Sequence, residues 1–465
     1  MENMGHQDDN GSRLYIDAYV RRARAAQAAW EQRSQEDVDL AVMAVGKLVH
    51  DHAAQLAAFA VEETGMGNVH DKTLKNTNKA RIMWHSMKGK PSRGIIERDA
   101  VTGITKIAKP VGIVAALTPC TNPIVTAMSN IMFALKAGNA IILSPHHKAV
   151  RCSAHTVGLI RGRLSELGFP EDVVQVLDEH SREHTANLMA AADVVIATGG
   201  MGMVKAAYRS GRPAFGVGAG NVQCIIDRGC DYEAAVEKII TGRTFDYGII
   251  CSAEQSVICP EEDYDEILRL FEGKGCVIVR DAAQKEALRG AIFREEGGAS
   301  PHAVGQSPLT IAELAGIDAP EGTRLLVAEA DGTGTADPLG KEKMCPVLTA
   351  YRYKDIEGAI AIARENLEAE GKGHSVSLHS DDAKTIEQVG CALPVSRFLV
   401  NQVSSTTAGG SFHNGLNPTN TLGCGSWGNN SISENLTYTH LMNVSRIAYF
   451  MEGNPVPGEE ELWSV

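Results

Sequence analysis

The chain has 465 residues, and 44 Lys plus Arg against 57 Asp plus Glu give a formal charge of −13 at pH 7. That balance argues against a nucleic-acid protein, which carries a basic stripe. A 44% hydrophobic and 22% charged composition excludes disorder, and no apolar run nears the ~18 residues of a membrane span. The length predicts about three domains of ordinary size. The opening MENMGHQDDNGSRLY has neither a basic nor an apolar signal region, so no secretory leader is expected. Ten cysteines are scattered without a CxxC pair, which suits reduced thiols in the cytoplasm. No pair of Cys and His has ligand spacing, so no metal is expected.

Residues 13–66 read as helix, with apolar residues every three or four positions and polar ones opposite. Gly65 and Gly67 break the pattern, which then resumes toward residue 90. RGIIERDAVTGITKIAKP follows: two β-type runs flank a turn at Asp99 to Gly103, a hairpin that needs something to pack against. From residue 111 strands alternate with helices. GIVAALT, AIILS, VVQVL and DVVIAT are short apolar strands, and NPIVTAMSNIMFALKAG and residues 148–168 are helices ended by glycine. This alternation means βαβ units and a parallel sheet covered on both faces. A second α/β pattern runs from CIIDRGCD to about residue 400. A Gly/Ser/Asn-rich stretch, 404–431, then leads to a last strand-like run, VSRIAYFM.

Ligands of open α/β sheets bind beyond the carboxyl ends of the strands. DVVIAT ends in Thr198, Gly199 and Gly200 before a helix start, where free N–H groups favour phosphate. Neither GGMGMVK nor GVGAGN has the spacing of the dinucleotide fingerprint, so a plain tight turn fits each equally well. FDYGIICSAEQS places Cys251 after an apolar approach, as a thiol at a cleft mouth or as a buried packing residue.

Seven segments in fixed order carry more: LTPCTNPI, SPHHK, ATGGMGMVKAAY, GVGAGN, TFDYGIICSAEQS, EKMCPVL and TLGCGSWGNNS. Together they resemble the CoA-acylating branch of the aldehyde dehydrogenase superfamily, over roughly residues 15–450. The resemblance implies an α/β, aldehyde dehydrogenase-like fold. A Rossmann-type cofactor domain (1–219, with the 92–107 hairpin) is followed by an α/β catalytic domain (220–430). A small β oligomerisation element is completed by 431–465. It implies that the Cys251 thiolate attacks an aldehyde, that hydride passes to NAD or NADP, and that coenzyme A takes the acyl group from the cysteine thioester. Asn122 then matches the amide that stabilises the oxyanion, although it also reads as a helix N-cap. Thr118, Ser144, His146, Thr198, Gly199, Gly200, Gly220 and Glu342 match cofactor contacts. Hydrolytic relatives carry a general-base Glu where this chain has Val217, which favours transfer to CoA over hydrolysis. Glu254 is the carboxylate nearest the cysteine in sequence and the alternative base.

The wording of CTNPIVTAMSN, SPHHKA, GNVQCIIDR and SFHNGLNPTNT resembles the acylating sulfoacetaldehyde dehydrogenases most closely. That implies sulfoacetaldehyde oxidised to sulfoacetyl-CoA, with an acetaldehyde or propanal enzyme as the alternative. A sulfonate needs cationic or N–H-rich partners; Arg243 and His413 are the candidates, with Thr121 beside Asn122. The expected partners are a small aldehyde, CoA and further copies of the chain, as a homodimer or dimer of dimers. No nucleic acid or membrane is expected.

Overall fold

The computed structural model describes residues 5–295 and 297–464; the first four residues of the polar start, Glu296 and Val465 lie outside the described residues. The long helical stretch is cut by its own caps. Ser34 accepts from the Asp37 N–H at 3.1 Å and so separates α1 (Gly5–Glu31) from α2 (Gln35–Asp51). Gly65, at φ +67°, closes α3 (Ala53–Thr64) in the left-handed conformation that glycine tolerates. Asn68 accepts from the Asp71 N–H at 2.8 Å and starts α4 (Val69–Met87).

β1 (Gly94–Asp99) and β2 (Ile104–Pro110) form the antiparallel hairpin that the turn signal predicts. The first α/β unit comprises β3 (Ile113–Thr118), α5 (Pro123–Ala137), β4 (Ala140–Pro145), α6 (Val150–Glu166) and β5 (Val174–Val176), then α7 (Arg182–Ala191), β6 (Val194–Thr198), α8 (Met201–Arg209) and β7 (Ala214–Val217). Its sheet is parallel throughout, in the order β5-β4-β3-β6-β7. Every residue of β3 and β4 is buried, because helices cover both faces of a parallel sheet. The strand order reverses beside β3, leaving a crevice at the carboxyl ends of β3 and β6. The alternating pattern left α7 unread; its apolar positions are few.

The second unit begins with β8 (Val222–Ile226), α9 (Tyr232–Thr244), β9 (Glu254–Pro260), α10 (Tyr264–Gly273) and β10 (Cys276–Val279). It continues through α11 (Ala282–Ile292), α12 (Pro308–Leu314), β11 (Leu325–Glu329), β12 (Val347–Tyr353), α13 (Ile356–Ala369), β13 (Gly373–His379), α14 (Ala383–Ala392) and β14 (Val395–Val400). These strands form a seven-stranded parallel sheet in the order β10-β11-β12-β9-β8-β13-β14. The following chain starts with the short α15 (Ser404–Thr407) and crosses back to the first unit, where Leu436, Tyr438 and Leu441 enter its core. Asn139 and Asn420 fasten it there, donating to Leu441 O and Val125 O at 2.9 and 2.8 Å. β15 (Met442–Ala448) then pairs antiparallel with β2, so the hairpin becomes a three-stranded sheet, β1-β2-β15. Among the described residues no helix is long and apolar enough to cross a membrane.

Candidate active site

A cavity of about 980 Å³ opens between the two units, with α4 along one side. Cys251 stands in its wall, half-buried, in the turn before β9. Burial pushes its thiol up to about 12, and the charge of Glu342 acts the same way. Gly220 packs directly on it: a Cβ there would lie 1.9 Å from the Cys251 carbonyl oxygen, so the close approach requires glycine. The Gly220 N–H also donates to Glu342 Oε1 at 3.1 Å. One glycine thus ties the cysteine backbone to the carboxylate. Burial and the nearby Glu370 raise the Glu342 carboxyl to about 8.

Asn122 lies in the same wall, just ahead of Pro123 at the start of α5, and makes no capping hydrogen bond. Its Oδ1 accepts from the Lys75 ammonium instead. An ammonium only donates, so this contact fixes which end of the amide is oxygen. Nδ2 is left with a long 3.4 Å contact to Thr121 Oγ1, and Thr121 also faces the cavity. Lys75 is held in turn by Asp246, which also accepts from Lys72 at 2.9 Å. Asp246 is fully buried at φ +53°, and its Oδ1 accepts from the Asn68 N–H at 3.0 Å. Gly67 makes room for it; a Cβ there would sit 1.9 Å from Asp246 Oδ1.

Lys72, Lys75 and Lys79 recur at i, i+3 and i+7, on one face of α4. Lys79 lines the cavity and donates to two carbonyls of the returning chain, Gly409 O at 2.8 Å and Thr419 O at 3.4 Å. Burial, then the charge of Lys75, lower its ammonium to about 8. Among the described residues lining the cavity, Glu342 is the one carboxylate, against Lys75, Lys79 and Arg81 from α4. Sequence reasoning missed this face. The signal was present as three lysines at helical spacing in HDKTLKNTNKAR, where only apolar periodicity was read.

Of the other expected residues, Thr198, Gly199, Gly200, His146 and His413 line the cavity, His413 being exposed on the loop after α15. Thr118 and Ser144 end β3 and β4 as buried side chains off the cavity wall, and Ser144 Oγ is satisfied by Thr185 Oγ1 at 2.9 Å. Arg243 is not an anion partner. It is fully buried on the last turn of α9, outside the cavity lining, and donates to the Val347 carbonyl, at 3.0 Å, and the Cys345 carbonyl. It braces the segment that carries Glu342. Glu254 is not a base at the cavity either: it starts β9, fully buried, and accepts from the Ser404 N–H at 2.7 Å. Val217 ends β7 as an apolar side chain in the cavity wall.

The residues present fit a nicotinamide nucleotide. α8 starts at the cavity with Gly200 as its cap, and a Cβ at Gly200 or Gly202 would meet open space. A pyrophosphate therefore has free N–H groups and no side chain in its path. His146 contacts His147 at 4.1 Å between ring centroids, and burial lowers its pKa to about 4, so its ring is neutral near pH 7.

The sequence profile of the aldehyde dehydrogenase family matches residues 4–296. The succinate-semialdehyde dehydrogenase (acetylating) of Clostridium kluyveri is 51% identical, over 96% of this chain and 98% of that protein. The sulfoacetaldehyde dehydrogenase (acylating) of Cupriavidus necator is 40% identical, over 96% and 91%. The crystal structure of an acetylating aldehyde dehydrogenase from Geobacillus thermoglucosidasius superposes with a TM-score of 0.92, at 37% identity, covering 97% of this chain and 99% of that one.

Proposed function

Because the chain belongs to the aldehyde dehydrogenase family, in its acylating branch, we propose that it oxidises a short aldehyde bearing a terminal anion and delivers the acyl group to CoA. Cys251 attacks the carbonyl carbon and becomes thioesterified. The Asn122 amide, held by Lys75, donates to the oxyanion as charge develops on it. Glu342, tied to Gly220, meets the nucleotide. A nicotinamide nucleotide held at the α8 start and by Glu342 would supply the hydride acceptor. The observation that supports transfer over hydrolysis is Val217 in the wall: among the described residues lining the cavity the one carboxylate is Glu342, which the Gly220 N–H already engages. A thiol deprotonates more readily than water and needs less help.

The anionic class rests on the relatives. Succinate semialdehyde, named by the 51% relative, carries a carboxylate, and sulfoacetaldehyde, named by the 40% relative, carries a sulfonate. The higher identity makes succinate semialdehyde the first substrate, with sulfoacetaldehyde as the second reading. The test is NAD(P)H formation from succinate semialdehyde, sulfoacetaldehyde and acetaldehyde, each with and without CoA. The expected result is strict CoA dependence and at least about tenfold higher kcat/KM for an anionic aldehyde, the effect of 1.4 kcal/mol. Turnover without CoA would overturn the acyl-transfer reading; preference for acetaldehyde would overturn the anionic class.

A further inference from the structure

We propose that Lys79 is the receptor for the anionic end of the aldehyde, and so the residue that sets substrate class; this rests on the anionic-substrate reading above. The argument begins with charge. Lys79 is half-buried in the cavity wall, and among the described residues no carboxylate lies within ion-pair distance of it. Its two hydrogen-bond partners are the neutral carbonyls of Gly409 and Thr419. They satisfy N–H groups without cancelling the charge, and an ammonium has a third N–H to give. A partly desolvated, uncompensated cation is costly, and the fold accepts this cost in the wall of its reaction cavity. An anionic ligand would supply the missing countercharge.

The neighbouring cations do not fill this role. Lys75 is committed to Asp246 and to the Asn122 amide, and Lys72 shares the same carboxylate. Arg81 and His413 are exposed at the edge, where solvent screens them. The loop around Lys79 is shaped for the ammonium. A Cβ at Gly409 would come within 2.7 Å of Lys79 Nζ and of the Thr419 carbonyl oxygen, so a backbone without a side chain closes over the ammonium. Cys251 and Lys79 line one cavity. A short aldehyde thus meets the nucleophile at one end and the ammonium at the other.

The experiment compares kcat/KM for succinate semialdehyde with that for its neutral methyl ester, methyl 4-oxobutanoate. It uses the full-length enzyme, Lys79→Met, Lys79→Gln and Lys79→Arg, each checked for fold by circular dichroism. The expected ratio of acid to ester is at least about 30 in the wild type, the scale of a buried charge pair. It should fall at least tenfold in the Met and Gln variants and largely return in Lys79→Arg. A high ratio kept in both neutral variants would overturn Lys79 as receptor while leaving the anionic reading intact. A wild-type ratio near one would overturn both.

Discussion

At Cys251 the chemistry and the surroundings pull in opposite directions. A nucleophile must be a thiolate, yet burial holds this thiol up at about 12. The sign follows directly: a raised pKa leaves the neutral thiol dominant below it, and the thiolate fraction grows tenfold per pH unit up to that value. Alkylation of Cys251 by iodoacetamide, followed by mass spectrometry of its peptide, should therefore accelerate continuously from pH 6 to pH 9. A plateau beginning below pH 8 would show an already activated thiol. The other nine cysteines are the internal control; Cys224, Cys259 and Cys345 are fully buried and should stay unmodified in the folded protein. At this scale the sequence was most legible where chemistry demands one residue type, as at Cys251 and Gly220. It misled at Arg243, because a charged residue near a catalytic motif in sequence says nothing about where its side chain turns. At position 243 the fold needed a brace for the strand that follows Glu342.

α4 presents two ammoniums, those of Lys72 and Lys75, to one fully buried carboxylate, Asp246. Removing Asp246 would leave Lys72 and Lys75 facing each other without countercharge, at a cost of about 3–5 kcal/mol. Asp246→Asn should therefore lower the urea midpoint clearly, and the double variant Lys72→Met/Asp246→Asn should recover part of that loss by removing surplus charge. Equal midpoints for wild type and Asp246→Asn would mean that the cluster is not a structural charge pair. β3 to β6 and the first strands of the second sheet were legible because buried parallel strands are short apolar runs, whereas β11 to β14 were read only as a continuing α/β pattern. The helical face of α4 was not, because its lysines look like a solvated surface until Asp246 is brought to them from 171 residues beyond Lys75. Likewise the carbonyls that hold Lys79 come from a loop 330 residues further along, which no local pattern encodes.

At the scale of the molecule, the three-stranded sheet keeps open edges. β2 is flanked on both sides within the three-stranded sheet, which leaves β1 and β15 as edges. The tail beyond β15 folds over the hairpin turn: Tyr449 N–H donates to Gly103 O at 2.9 Å, and a Cβ at Gly103 would strike Met451. Even so, Phe450 is 91% and Val101 84% exposed, with Tyr449 and Ile447 also open to solvent. Such a cluster beside a free strand edge invites a partner, and further copies of this chain are the simplest one. The expected state is a homodimer or dimer of dimers, so sedimentation equilibrium should give at least twice 49.7 kDa. Phe450→Glu combined with Tyr449→Glu places two charges in the proposed interface, outside the cavity lining, and should shift the population toward monomer. A wild-type mass of one chain at micromolar concentration would refute the assembly. An unchanged mass in the double variant would move the interface to another surface.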